Sequence, residues 1–573
     1  MTPAENRWQQ AILGHFARAP GAVFCHQVGD GGETTLTWRD VEADCGAFGA
    51  AYRRAGLAPG DQALIFLRHT RELYGAFLGA MLTGVAPAFM PCTSPRQDPV
   101  LYWESHQALI GQIRPAAVVT DRPTLAEMRA AGLSLEGAAV VLIEDLCPAA
   151  LSPRLVPESH IGLLQHSSGT TGLKKGVALS FRAIVEQIES YAGAIALSDG
   201  DAIVSWLPLY HDMGLIACLI LPAYFAIPVT HIDPFHWIGR PDSLFDQIVR
   251  RKGTLAWLPN FAFEHLAGTV ARRAGAWDLS GMRAFINCSE PCKPATFDRF
   301  AAAFAPAGVR PGQLQCCYAM AETVFAVAQT GPGDPPARVT VDPASLDRGR
   351  TPQPVAAGHG IELVETGAAI DGVSVSIHDE AGQPMNDGRI GEVVVTGRFL
   401  FSGYNRDGAR TAERLRGEAY FSRDLGFLRD GRLFVLGRMD DLIIVNGRNL
   451  YAHEVEARIA TVAELKPGRA VAVAWFDPKI GSETLVIMAE RGGAAPRRDE
   501  EVRREVMGLV HSVFNVIPRA VELMDEGRLV KTSSGKVSRK ENLARYLAAA
   551  SDRAWPAGSG ASRMTAERSE DAC

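Results

Sequence analysis

Between Ser167 and Gly176 the chain reads SSGTTGLKKG, with an apolar run before it and GVALS after it. Gly169, Gly172 and Gly176 let the backbone curl so that successive N–H groups converge on one point. Ser167, Ser168, Thr170 and Thr171 add hydroxyl donors, and Lys174 and Lys175 add positive charge. A loop of this kind suits an anion with several oxygens, above all a phosphate. It is not a Walker A loop, because Lys175 is followed by Gly176 rather than Ser or Thr. Nor does it open a helix directly. GVALS reads as a second strand, and the next helix begins near Ser180, with Phe181, Ile184, Val185 and Ile188 on one face. The binding groups must therefore come from the loop itself, which reads as a nucleotide-phosphate loop outside the Walker class.

The elements that must hold this loop alternate between short apolar runs and helix-like stretches. QALIFL (62–67) is followed by ELYGAFLGAMLTG (72–84) and VAPAFM, while AAVVTD (116–121) and AAVVLIED (138–145) flank another helical segment. The alternation predicts βαβ units and largely parallel sheets. After about residue 360, VSVSIHD, GEVVVTG and RLFVLGR predict a small, mainly antiparallel unit. From 440 onward, DLIIVNGRN, a helix at about 453–463, AVAVAWF and TLVIMAE form a compact α+β pattern. The tail from Ser551 is rich in Ser, Gly, Ala and charge and is predicted to be disordered.

Bulk properties exclude several classes. At 573 residues the chain is too long for one core. A formal charge of -6 gives no reason to expect nucleic acid or an anionic membrane as partner. No apolar run reaches the roughly 18 residues that a transmembrane segment needs. The longest, LIACLILPAYFAIPV (215–229), is broken by two prolines and reads as buried core or as the wall of an apolar tunnel. The N-terminus lacks a signal-peptide core. Ten cysteines are scattered without CxxC pairs, and Cys218, Cys288, Cys316 and Cys317 lie in apolar, strand-like runs. They read as small core residues in a reducing compartment, hence a cytoplasmic protein.

SSGTTGLKKG resembles the phosphate-binding signature of the adenylate-forming superfamily, with Lys174 where the pattern usually has Pro. LPLYHDMGL (207–215), LPNFAFEHL (258–266), INCSEP (286–291) and CYAMAETVFAVAQT (317–330) follow in the expected order and are most similar to the fatty acyl-AMP ligase branch. The resemblance covers roughly residues 10–548. It implies an α/β fold with a large N-terminal domain (1–437) of two α/β layers plus a small β subdomain, and a mobile α+β C-terminal domain (438–550) before the tail at 551–573. It also implies ATP-dependent activation of a carboxylic acid as acyl-adenylate, with ATP and Mg²⁺ as cofactors. The acyl group would then pass to the phosphopantetheine thiol of an acyl carrier protein. The amino-acid-activating FDxS pattern is missing, which favours a hydrophobic, fatty acid. The branch's characteristic insertion is not evident in GEVVVTGRFLFSGYNRD, and a ligase of acyl or aryl acids using free CoA is the alternative. A catalytically silent nucleotide-binding homologue is the second alternative, and the set Lys175, Glu322, Asp424, Arg438 and Lys536 argues against it.

The same resemblance implies roles for individual residues. The 167–176 loop would hold the β- and γ-phosphates, and Glu322, with Thr170, would hold Mg²⁺. Ser289, Glu290 and Tyr318 would line the adenine pocket. Asp424 in YFSRDLGF would bind the ribose diol, although Ser422-Arg423 replaces the usual Thr-Gly before it. Arg438 in GRMDDLI would also reach the nucleotide, and Asp440 would be the interdomain hinge. Tyr210 and His211 would stand beside the substrate carboxylate. Lys536 in LVKTSSGKVSRK would enter the active site and contact the carboxylate and α-phosphate.

Overall fold

The computed structural model describes residues 6–93, 99–167, 175–445, 448–477, 482–492, 497–531 and 537–553. The candidates Ser168, Gly169, Thr170, Thr171, Gly172 and Lys536 lie outside the described residues, as does the tail from 554. Ser167 and Lys175 are described as backbone only, at the facing ends of two antiparallel strands, Ile161–Ser167 and Lys175–Ser180.

One layer is a parallel sheet in the order Ala86–Phe89, Gln62–Phe66, Ala117–Thr120, Ala139–Leu142. Its central strands read as unbroken apolar runs because helices cover both faces. Leu64, Phe66 and Val118 pack with Trp103 and Met128, while Ala63, Ile65 and Val119 pack into the main core with Phe77 and Tyr52. A second parallel set lies in the order Leu314–Ala319, Ala284–Asn287, Leu255–Leu258, Ile203–Ser205, Val229–Ile232, Val23–Gly29. Beyond Leu314–Ala319 this sheet continues with antiparallel strands, through Ala326–Gln329, Ala368–Ala369, Arg432–Arg438, Ala419–Arg429, Gly391–Gly397 and Val373–His378. The small antiparallel unit is therefore hydrogen-bonded into the large sheet rather than standing apart from it.

The helix after the phosphate loop is Phe181–Ala194. Ser180 caps it, its hydroxyl accepting from the Ala183 N–H at 3.2 Å, and Phe181, Ile184, Val185 and Ile188 are fully buried, as their spacing predicts. Burying each such side chain contributes about 1.5–3 kcal/mol.

After the short turn Met439–Asp441 the chain forms a hairpin, Leu442–Val445 with Arg448–Tyr451, and a sheet of Leu465–Asp477, Ser482–Arg491 and Ala520–Met524. Val455, Ile459, Ile487, Val502 and Val506 belong to a core separate from the main one. The helix expected at 453–463 is Ala452–Ile459. It stops early where the Thr461 hydroxyl donates back to the Arg458 carbonyl at 2.8 Å, an alternative to the helical ladder. The last helix, Arg539–Arg553, runs past Ser551, where the tail was expected to begin. The nine described cysteines are unbridged, and Cys218, Cys288, Cys316 and Cys317 are buried. Cys218 lies in a helix rather than a strand. Among the described residues no helix is long and apolar enough to cross a membrane.

Candidate active site

Four neighbouring parallel strands deliver the candidate residues. Ile203–Ser205 runs on to Tyr210 and His211, Leu255–Leu258 to Asn260, Ala284–Asn287 to Ser289 and Glu290, and Leu314–Ala319 carries Tyr318 and leads to Glu322. Loops past the carboxyl ends of adjacent parallel strands are where open α/β sheets bind ligands. These loops are tied together. Asn287 Nδ2 donates to Asn260 Oδ1 at 2.9 Å, the Lys293 N–H donates to the same oxygen at 3.3 Å, and the Phe261 N–H donates to Glu290 Oε2 at 2.9 Å. Ser289 holds the left-handed conformation, with φ 71°, which costs a non-glycine residue on the order of 1–3 kcal/mol.

Asp424 sits in a second group. The Tyr318 hydroxyl donates to its Oδ2 at 2.5 Å, and Arg438 Nε lies 3.5 Å from its Oδ1. Asp424 and Arg438 are cross-strand partners in the antiparallel part of the sheet, which is why one faces the other. Burial raises the Asp424 pKa, against the opposing Arg438 charge and Tyr318 hydrogen bond. Burial and the neighbouring carboxylate push the Tyr318 phenol well above its ordinary value, so it stays a donor. The Asp424 N–H donates to Ser422 Oγ at 3.0 Å, and that hydroxyl donates to the Val393 carbonyl at 2.6 Å.

Arg423, where the family pattern has Gly, takes the left-handed backbone that Gly favours, with φ 62°. Its N–H donates to Glu392 Oε1 at 2.8 Å and its guanidinium pairs with Asp440. The substitution thus keeps the turn before Asp424 and adds a charge contact to the candidate hinge.

Glu322 lies in the short 3₁₀ turn Ala321–Thr323 and is 7% exposed. The Tyr404 hydroxyl donates to its Oε1 at 2.7 Å, and its carbonyl accepts the Phe401 N–H at 2.8 Å. The turn packs against both strands that flank the phosphate loop, and Gly403–Tyr404 pairs with one of them. Glu322 is thereby fixed beside the loop's two ends. Tyr404, in FSGYNRD, carries no motif of its own in the sequence, and only the fold brings it to Glu322.

The Tyr210 and His211 rings are 4.7 Å apart, and burial raises the Tyr210 pKa. Asp212 caps a π-helix, Met213–Ile220, with Oδ1 accepting the Met213 N–H at 2.9 Å. A Cβ on Gly214 would stand 2.4 Å from the Pro208 carbonyl oxygen, so only glycine lets this loop fold back on its helix. All eight π-helix residues are buried in the main core, which favours core packing over a tunnel wall for the LIACLIL run. Ser289 Oγ lies 3.9 Å from Met213 Sδ, so the candidate adenine loop and the candidate acid motif touch.

The family model for AMP-binding enzymes matches residues 14–405. A long-chain-fatty-acid–AMP ligase, FadD32, of Mycolicibacterium smegmatis is 28% identical over 90% of this chain and 90% of its own length. A 4-hydroxyphenylalkanoate adenylyltransferase of Mycobacterium marinum is 29% identical over 90% of this chain and 86% of its own. A solved structure from a study of fatty acyl-adenylate ligases of E. coli and L. pneumophila matches with a TM-score of 0.86 at 25% identity, over 96% of this chain and 99% of that one. The fold is that of the adenylate-forming enzymes, which use ATP. The chain belongs to the AMP-binding enzyme family.

Proposed function

We propose that this enzyme activates a hydrophobic, fatty carboxylic acid as acyl-adenylate and passes the acyl group to the phosphopantetheine thiol of an acyl carrier protein in the cytoplasm. The observation that carries the nucleotide half is Asp424, a half-buried carboxylate gripped by Tyr318 and Arg438 beside loops from four parallel strands. Its two oxygens suit the vicinal hydroxyls of a ribose. The printed activities of the similar ligases support the acid half.

In the first step a carboxylate oxygen of the acid attacks the α-phosphorus of ATP, and the bond to the β-phosphate breaks, releasing pyrophosphate. In the second, the thiol sulfur attacks the acyl carbon, AMP leaves with the oxygen that came from the acid, and the thiol proton goes to solvent. The protein gathers mutually repelling anions, so catalysis is mainly positioning and charge neutralisation. The loop of Ser167, Ser168, Gly169, Thr170, Thr171, Gly172 and Lys175 holds the β- and γ-phosphates. Ser289, Glu290 and Tyr318 hold the adenine, and Asp424 and Arg438 the ribose. Tyr210 and His211 orient the acid's carboxylate, and Lys536 faces the charge that grows on the α-phosphate.

Glu322, buried beside the two ends of the phosphate loop, supplies one carboxylate, a donor that suits Mg²⁺, an ion that keeps waters and phosphate oxygens and takes one or two protein carboxylates. Glu322 and Thr170 would hold it, and when bound it would neutralise phosphate charge. Residues 1–437 carry the two substrates, and residues 438–550 swing about Asp440 between the steps.

The test is ATP–pyrophosphate exchange over a library of acids that includes fatty and aryl-alkanoic chains, followed by offering holo carrier protein or CoA. Exchange driven by hydrophobic acids, with thioester formed on the carrier, is expected. Exchange with no acid overturns the proposal, and thioester formation on CoA alone overturns its acceptor.

A further inference from the structure

Lys293 follows the candidate adenine loop, and Glu454 lies in the first turn of the helix Ala452–Ile459, beyond the candidate hinge. Lys293 Nζ is 2.5 Å from Glu454 Oε1, and the two side chains are only 18% and 12% exposed. His453 Nε2 lies 3.1 Å from the same oxygen. Burial alone would raise the Glu454 pKa, but the Lys293 charge and the His453 contact outweigh it and hold the carboxyl well below the usual carboxylate range. Arg539, the nearby cation on the same half, is engaged with Glu456 and Asp441.

Both ends of this pair are anchored to functional segments. The Lys293 N–H donates to Asn260 Oδ1, which also accepts from Asn287 in the INCSEP motif. On the other side, a Cβ on Gly437, the residue before Arg438, would stand 2.8 Å from His453 Cε1. The contacts therefore run from the adenine loop to the strand that ends at the hinge.

We propose that Lys293 and Glu454 form an interdomain latch, a pair of positioning residues that ties the orientation of the C-terminal half to the adenine loop and so sets the balance between the two half-reactions. The inference rests on the proposed function for the existence of two half-reactions. Lys293 moves with the parallel sheet and Glu454 with the C-terminal half, so rotation about Asp440 must separate them. The pair exists in one orientation only, and a buried charge deprived of its partner is strongly disfavoured, so the pair biases the equilibrium toward that orientation.

The variants are Lys293→Glu, Glu454→Lys and the double exchange K293E/E454K, with Lys293→Gln as a milder change should a reversal be insoluble. Interdomain fluorescence energy transfer in the ligand-free protein reads orientation without any substrate. Pyrophosphate exchange, and acyl transfer from synthetic acyl-adenylate, read the two steps separately. Each single change is expected to shift the transfer efficiency and to alter the ratio of the two rates by at least about fivefold, roughly 1 kcal/mol of bias. The double exchange is expected to bring both readings back to within about twofold of wild type. Equal losses in both steps with unchanged energy transfer, or a double variant no better than the singles, would overturn the latch. Wild-type protein inactive in both steps would instead count against the proposed function, with energy transfer still deciding the latch.

Discussion

Asp424 and Glu322 are both partly or wholly buried carboxylates, yet neither is left without hydrogen-bonding partners: Tyr318 and Arg438 hold one, and Tyr404 holds the other. Such carboxylates keep a defined direction, which a ligand site requires. The largest single effect expected among the candidates belongs to Lys536. Lys536→Ala should lower acid-dependent pyrophosphate release by at least about 100-fold, as for loss of one transition-state charge contact, without loss of the folded state. A folded variant with near-normal release would remove this lysine from the mechanism. Arg423→Gly tests the opposite kind of residue. The left-handed backbone costs Arg on the order of 1 kcal/mol, and its exposed pair with Asp440 returns about 0.2–1 kcal/mol. Stability should therefore stay unchanged or rise slightly in denaturant titration. A loss above about 2 kcal/mol would show that the guanidinium supports more than the turn.

The strand Arg432–Arg438 and the turn Met439–Asp441 join the two halves, and the proposed rotation depends on backbone freedom there. Gly437 has φ 144° and no room for a Cβ beside His453, so Gly437→Ala should cost about 1–3 kcal/mol and disturb the joint. Asp440→Pro restricts the turn itself. Acyl transfer should suffer more than adenylate formation, and equal loss of both would argue against Asp440 as the hinge. The elements that position the site were largely legible beforehand for physical reasons. Parallel strands buried on both faces show as apolar runs, and Ser180 shows as a cap before an amphipathic repeat. The π-helix at Met213–Ile220 was not legible, because a uniformly apolar run has no period to read. Contacts such as Tyr404 with Glu322, or Lys293 with Glu454, join residues far apart in the chain and leave no local trace in a single sequence. Their residue types fit the site, but only the fold could pair them.

Across the molecule, one sheet runs from the parallel strands that present Ser289 and Tyr318 to the antiparallel strands that present Asp424 and Arg438. The parallel and antiparallel strands thus share one sheet, while most of the C-terminal half packs around a core of its own. If Glu322 holds Mg²⁺ as proposed, adenylation should vanish on chelation and return with added Mg²⁺, and Glu322→Gln should require a higher Mg²⁺ concentration. Full activity in excess chelator would rule out the metal role. In the proposed reaction an oxygen of the acid becomes bonded to the α-phosphorus of ATP. This step is tested most directly by supplying a fatty acid labelled with ¹⁸O in its carboxylate, together with ATP, Mg²⁺ and a thiol acceptor, and weighing the AMP formed. AMP carrying one labelled oxygen is expected for each thioester made. Unlabelled AMP, with the oxygen lost from the acid recovered in phosphate, pyrophosphate or water, would contradict it.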